Sequence, residues 1–194
     1  MTRELENVHA IDPIQLLQAL GEGVYGIDHE GRTSFINAAA ERMLGWSSSE
    51  IQGQRQHDLV HHSHESGNVH TSEDCPIHGV LETGHPVRVT SDVFWTKNKT
   101  ALPVEYTATP IFENGQVTGA VVAFRDITED RRARREAEEQ QNLLRESQAI
   151  ARLGSWEWDI ASDRISWADE TYRIFGIEPG TPLDLPSYTA RVHP

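Results

Sequence analysis

Seven histidines and the chain's single cysteine crowd one stretch of sequence: His57, His61, His62, His64, His70, Cys75, His78 and His85. Neutral imidazole and thiolate are good donors to zinc or iron, so His61-x-x-His64 with Cys75-x-x-His78 supplies four candidate metal ligands. The spacing matches no standard zinc finger. A haem would need only one of these histidines as an axial ligand beside an apolar pocket. Against both readings, the segment is polar, and histidines in polar loops are commonly just solvated. Cys75-Pro76 also fits a helix start with a buried, inert cysteine. Asp74 precedes Cys75, and its charge is expected to raise the thiol pKa.

Other catalytic patterns are missing. The sequence holds no phosphate-binding glycine loop, no Gly-x-Ser-x-Gly elbow and no His-Glu-x-x-His helix, since the His64-Glu65 pair lacks a second histidine. The expectation is a fragment without a catalytic centre, with metal-dependent chemistry at the histidine cluster as the enzymatic alternative. The net charge is -13 and Lys97 and Lys99 are the only lysines, which argues against nucleic acid or anionic lipid as a partner of the main domain. One cysteine excludes an intrachain disulfide. No apolar run is long enough to insert in a membrane, and a cytoplasmic location is expected.

The elements that must hold the cluster are legible on both sides of it. Ile14, Leu16, Leu17 and Leu20 suggest a short amphipathic helix whose apolar face docks on a sheet. Alternating apolar residues around the turn Asp28-His29-Glu30-Gly31 predict a hairpin. Asn37 then stands at a helix N-cap, Gly45 at its stop, and Ser47-Ser48-Ser49-Glu50 forms a capping box. After the histidines, three strands follow: Val87, Val89, Val93 and Trp95; Leu102, Val104, Tyr106 and Ala108; Val117, Val121 and Ala123. Their turns are Thr96 to Thr100, where Asn98 is expected to be left-handed, and Glu113-Asn114-Gly115-Gln116. Pro103 should face an edge or a bulge.

The hairpin repeats. At a constant offset of 131 residues, Gly23 to Asp28 lies over Gly154 to Asp159, Ile36 over Trp167, and Gly45 over Gly176. The second turn falls at Ala161-Ser162-Asp163-Arg164. The tryptophans Trp46, Trp95, Trp156, Trp158 and Trp167 are expected in the core. The second copy runs from Leu153 to Pro194, too short for a self-sufficient core.

The segments Asp28-His29-Glu30-Gly31, Phe35-Ile36-Asn37-Ala38-Ala39-Ala40, Gly45-Trp46-Ser47-Ser48-Ser49-Glu50-Ile51-Gln52-Gly53 and Phe124-Arg125-Asp126-Ile127-Thr128, in this order and spacing, resemble PAS domains. The resemblance implies an α+β fold: a five-stranded antiparallel sheet with flanking short helices, then a long linker helix and a partial second PAS unit. Residues 1–12 form a tail, 13–128 the PAS domain, 129–152 the linker and 153–194 the start of the second unit. It also implies that the histidine-rich segment lines the ligand cleft, and that Asp126-Ile127-Thr128 is the junction between sheet and signalling helix. Flavin is disfavoured, because the Asn-Cys-Arg motif of light-sensing PAS relatives is absent.

From Asp126, a capping residue, to Leu153 nothing breaks a helix. Ala133, Ala137, Gln140, Leu144, Ser147 and Ala151 follow a weak coiled-coil seam. A single charge-laced helix is the alternative, and the resemblance favours a parallel homodimer. The expected function is a sensory and dimerisation module that passes the state of a cleft ligand, a small molecule, through the linker to a histidine kinase or diguanylate cyclase output. Two alternatives stay open: a ligand-free spacer, and a metal- or haem-binding redox sensor.

Overall fold

A computed structural model of the protein describes residues 12–162 and 164–181. Most of the expected tail (1–12), Asp163 of the second turn and the second unit beyond residue 181 lie outside the described residues. The chain divides into two compact units, Met1–Arg131 and Arg132–Pro194.

Helix α1 (Pro13–Ala19) starts on Asp12, whose carboxylate accepts from the Ile14 amide at 3.0 Å. Its apolar face is not covered as expected: Ile14, Leu16 and Leu20 are exposed. The helix is instead held by polar contacts: the Leu17 carbonyl accepts a hydrogen bond from the Asn37 amide group, and the Gln18 side-chain oxygen accepts from the Ala38 amide at 2.7 Å. Strands β1 (Gly23–Asp28) and β2 (Thr33–Ile36) form the hairpin, and α2 (Ala38–Leu44) follows from Asn37 and ends at Gly45 with φ 74°. That left-handed stop costs glycine little and any other residue more. The capping box opens α3 (Ser48–Ile51). The Ser47 amide donates to Glu50 at 3.1 Å, and the Ser47 hydroxyl donates to the same carboxylate at 2.8 Å.

Helices α4 (Gln56–Val60) and α5 (Pro76–Thr83) lead to β3 (Val87–Trp95), β4 (Ala101–Glu113) and β5 (Gln116–Asp126). The sheet order is β2-β1-β5-β4-β3, all antiparallel. Its inner face packs Tyr25, Phe94, Val104, Tyr106, Val122 and Phe124 against Leu44, Ile51, Val60 and Val80 from the helices. In β5 the inward residues are Ala120, Val122 and Phe124, while Val121 faces outward. The apolar alternation read on Val117, Val121 and Ala123 has the wrong phase, because both faces of this central strand are apolar enough to mask it.

At the β3–β4 turn the positive φ falls on Lys99 (59°), not on Asn98. The Lys99 amide donates to the Thr96 carbonyl and the Thr96 amide to the Thr100 carbonyl, which places the tight turn one residue later. Asn114 and Gly115 take the positive φ values that the Asn-Gly pair predicts. Pro103 lies just past the β4–β5 ladder, which ends at the Val104–Asp126 pair, so its missing N–H leaves no ladder bond unmade.

In the second unit, β6 (Trp156–Asp159), β7 (Arg164–Trp167) and α7 (Asp169–Ile174) fall at the repeat's offset. The Tyr25–Ile36 pair of the first hairpin becomes Trp156–Trp167, and Gly176 takes φ 66° where Gly45 takes 74°. Trp167 is buried with Ile165 and Tyr172. Trp156 and Trp158 are exposed, contrary to the core expectation, because among the described residues this hairpin has no third strand beside it. Helix α6 (Thr128–Ala151) buries none of its residues and carries Arg132–Glu136 and Arg134–Glu138 ion pairs at 3.6 and 3.0 Å. Among the described residues no helix is long and apolar enough to cross a membrane.

Candidate functional site

Three elements converge inside the first unit. His57 lies in α4 and His61 caps its end, and a spacing of four residues puts both rings on one helix face. Cys75 is the residue before Pro76, at the N-terminus of α5, and is buried. The third element is β3, where one extra residue between Val89 and Asp92 shifts the register against β4: Val89 pairs with Tyr106 and Asp92 with Val104. Tyr106 and Val104 face the core, so the bulge turns Asp92 to the core face in place of Ser91.

The resulting chain of contacts is short. Cys75 Sγ lies 3.2 Å from His61 Nδ1, and His61 Nε2 lies 2.9 Å from Asp92 Oδ2. The Tyr106 hydroxyl donates to the same carboxylate oxygen at 3.3 Å. His57 Nε2 donates to the His70 carbonyl at 2.8 Å, while His57 Nδ1 is buried without a hydrogen-bond partner. Phe94 and Tyr106 wall the His61 ring at centroid distances of 5.3 and 6.0 Å.

This geometry separates charge in a dry place. Burial opposes the cation on His61, but Asp92 and Cys75 outweigh it and raise its pKa to about 9. Burial likewise opposes the Cys75 thiolate, yet contacts from His57 and His61, with the His78 amide of the first α5 turn, bring its pKa to about 5. The expectation that Asp74 raises the thiol pKa is therefore wrong: the Asp74 carboxylate turns away to accept from the Thr71 hydroxyl at 2.7 Å. Asp92, despite burial, is lowered by His61. The thiolate absorbance of Cys75 in chelator-treated protein is thus expected at full strength at pH 7 and to vanish as pH falls through about 5. His61→Ala is expected to move that midpoint up by at least about one unit. A wild-type midpoint of about 8.5, the value of a free thiol, would contradict this charge separation.

Of the four residues read as metal donors, the structure brings His61 and Cys75 together, leaves His64 apart and puts His78 on the lining of the adjoining cavity, outside the donor set. His64 is exposed and stacks on His70, with ring centroids 4.4 Å apart, and the His78 ring sits by Gly31. His57 takes their place: one nitrogen from each of His57 and His61 and the Cys75 sulfur lie within 4.8 Å of one another. Its i, i+4 relation to His61 is visible in the sequence, but α4 is so short that the segment reads as loop. The segment is not a solvated loop, since His61 and His70 are buried. Nothing in the sequence marks Asp92, whose direction depends on the bulge.

Beside the cluster lies a cavity of about 20 Å³, lined among others by Tyr25, Gln56, His57, His61 and Cys75. It has room for about one water or ion, far less than the roughly 300 Å³ at which small-molecule pockets begin. A haem does not fit this space as packed. Tyr25 Oη, Gln56 Nε2 and His57 Nδ1 are all buried there without hydrogen-bond partners.

The profile of the PAS fold matches residues 12–127, more than half of the chain. This protein belongs to the PAS fold family. Its PAS domain is 30% identical over 117 residues to the sensor histidine kinase DcuS of Escherichia coli K12, covering 60% of this chain and 19% of that protein. The chain thus spans about a fifth of the curated relatives it matches. Among solved structures, an RNA-binding light-oxygen-voltage receptor aligns with a TM-score of 0.55 at 20% identity, over 73% of this chain and 40% of that one. A PAS domain from Colwellia psychrerythraea aligns at 20% identity and TM-score 0.49, over 59% of this chain and 93% of that one.

The PAS sheet ends at the expected junction. Asp126 Oδ1 accepts from the Thr128 amide at 2.8 Å, and Ile127 is buried with its amide on the Pro103 carbonyl at 3.0 Å. The helix begins at Thr128, with Glu129 and Asp130 in its first turn. Arg131, one turn into α6, donates to Glu65 at 3.1 Å and to the Ser91 hydroxyl at 3.0 Å. Glu65 belongs to the histidine loop, and Ser91 precedes Asp92 in the bulge.

Proposed function

We propose that this chain is the sensory segment of a signal-transduction protein, in which the PAS domain perceives its signal at the His57–His61–Cys75–Asp92 cluster and passes it through Asp126-Ile127-Thr128 into α6. The observation that carries this reading is Arg131. It ties the first turn of the helix to both flanks of the charged cluster, so a change in the cluster's charge or packing pulls on the helix through two hydrogen bonds. The cavity's small volume favours an ion, a proton or a redox change as the signal over an organic ligand.

The relative's name supports a histidine kinase as the output of the whole protein, with the chain itself serving regulation and not catalysis. The exposed face of α6, including Leu143 and Leu144, supports a homodimer through the linker. The test is amide exchange across residues 128–135 in the full chain. His61→Gln is expected to speed exchange there about tenfold, as the loss of one or two anchoring hydrogen bonds would. Arg131→Ala is expected to do the same, and the two together no more than either alone. Unchanged exchange in His61→Gln, or strictly additive effects, would overturn the proposed route.

A further inference from the structure

We infer that His57, His61 and Cys75 form a binding site for one borderline-soft or soft transition-metal ion, of the zinc or copper(I) class, with Asp92 as the carboxylate that orients His61. The inference rests on the cluster being the sensory centre only for its meaning in signalling; the site itself stands on the following geometry.

The donor set is two imidazole nitrogens and one thiolate sulfur. In a tetrahedral zinc site with bonds of about 2.0–2.1 Å to nitrogen and 2.3 Å to sulfur, neighbouring donors stand roughly 3.3–3.6 Å apart. His61 Nδ1 and Cys75 Sγ are already at 3.2 Å, and the whole set lies within 4.8 Å, so side-chain shifts of about an ångström close the site. Thiolate with two imidazoles selects zinc or copper over magnesium or calcium, which require oxygen donors.

Both histidines turn the same ring nitrogen towards the site. An aspartate carboxylate and a backbone carbonyl only accept hydrogen bonds, so His61 Nε2 and His57 Nε2 must each carry a proton. The nitrogen that remains on each ring is Nδ1. On His61 it meets Cys75, and on His57 it is buried and unpartnered, a state that a bound ion would relieve. The His61–Asp92 contact has the arrangement of a carboxylate behind a metal-bound histidine, where the outer group fixes ring orientation. The adjoining cavity of about 20 Å³ accepts a fourth ligand the size of a water, for which the unpartnered Tyr25 hydroxyl and Gln56 amide supply partners. Binding replaces the proton shared between His61 Nδ1 and Cys75 Sγ by the metal, so one proton is released per ion and no electron is transferred.

Titration of chelator-treated protein with cobalt(II) tests the site, because a thiolate-bound cobalt ion gives a sulfur-to-metal charge-transfer band and tetrahedral visible bands. The expected result is one cobalt per chain, displaced by one equivalent of zinc, with proton release of about one. A parallel titration with copper(I) under reducing conditions separates a zinc-class from a copper-class ion by which displaces the other. Cys75→Ser is expected to abolish the charge-transfer band, and His57→Gln to weaken cobalt binding at least about tenfold, each in protein whose circular dichroism matches the wild type. His64→Ala, outside the donor set and the cavity lining, is expected to leave binding unchanged. No charge-transfer band in the wild type, a band that survives Cys75→Ser, or equal losses in His64→Ala would overturn the site. Metal binding that holds while His61→Gln leaves the exchange of residues 128–135 unchanged would keep the site and remove the signalling route, so the two fail separately.

Discussion

Replacing Asn37 by alanine is expected to lower the stability of the PAS domain by about 3–5 kcal/mol, measured as faster global-unfolding exchange of the β1 and β5 amides. Asn37 is fully buried and uses its whole side chain. Its Oδ1 accepts from the amides of Val24 and Ala40, both at 2.9 Å, and its Nδ2 donates to the carbonyls of Leu17 and Glu22, both at 2.9 Å. It thereby caps α2, fixes the start of β1 and holds α1 by the Leu17 carbonyl. Alanine would orphan the Val24 and Ala40 amides and the Glu22 carbonyl at once, each costing about 1–3 kcal/mol when buried, while the Leu17 carbonyl keeps the Leu20 amide and water reaching the α1 side offsets part of the sum. Asn37→Asp separates the halves of this role. The acceptor remains, but a carboxylate now faces two carbonyl oxygens, and a loss of about 2–3 kcal/mol is expected. An alanine variant within about 1 kcal/mol of wild type would show that solvent satisfies these groups and that the residue is only a helix cap.

Removing the carboxylate of Asp92 has an effect of similar size with a different pH signature. Asp92→Ala is expected to destabilise chelator-treated protein by about 3 kcal/mol near pH 6, because it leaves a buried imidazolium with the Cys75 sulfur as its remaining charged partner. The pH dependence follows from the two groups. His61 is raised, to about 9, so its contribution is complete below its unfolded value of about 6.5 and is lost as pH rises through 9. Asp92 is lowered, so its contribution is complete above its unfolded value of about 3.9 and is lost as pH falls further. The stability difference between wild type and variant is therefore expected to be largest between about pH 4 and 6.5 and to shrink towards pH 9. Urea midpoints across that range measure it. A difference that grows towards pH 9 would mean that His61 is neutral in the folded protein and that Asp92 serves only as a hydrogen-bond acceptor.

These two residues also mark the limit of what can be read without coordinates. Asn37 was legible because capping is local: its own side chain, three residues of following chain and a glycine stop are enough to define a helix boundary. The same holds for the Asn114-Gly115 turn and for the hairpin that recurs 131 residues later, where β6, β7 and α7 fall at the same offset from β1, β2 and α2. The change from strand to helix after Asp126 was equally plain, since nothing beyond it breaks a helix, whereas the reading of Asp126-Ile127-Thr128 as a signalling junction came from the PAS resemblance.

Composition and local pattern thus determined the order of the strands, the caps of α2 and α3, the Asn114-Gly115 turn and the presence of histidines beside one cysteine. Which of those histidines meet was settled by folding alone. Donor choice by pairwise spacing favoured His64 and His78, but a side chain's reach of a few ångströms depends on which face of α4 is inward and on where α5 begins against the sheet. Asp92 was invisible for a sharper reason. A single extra residue in β3 reverses which side chains face the core, and the bulge is stabilised by contacts with β4 and the helices, partners far away in the chain. The charge separation at Cys75 follows from the same distant contacts, because the groups that set its pKa lie 14 and 18 residues away in sequence, His61 and His57, and not next door at Asp74.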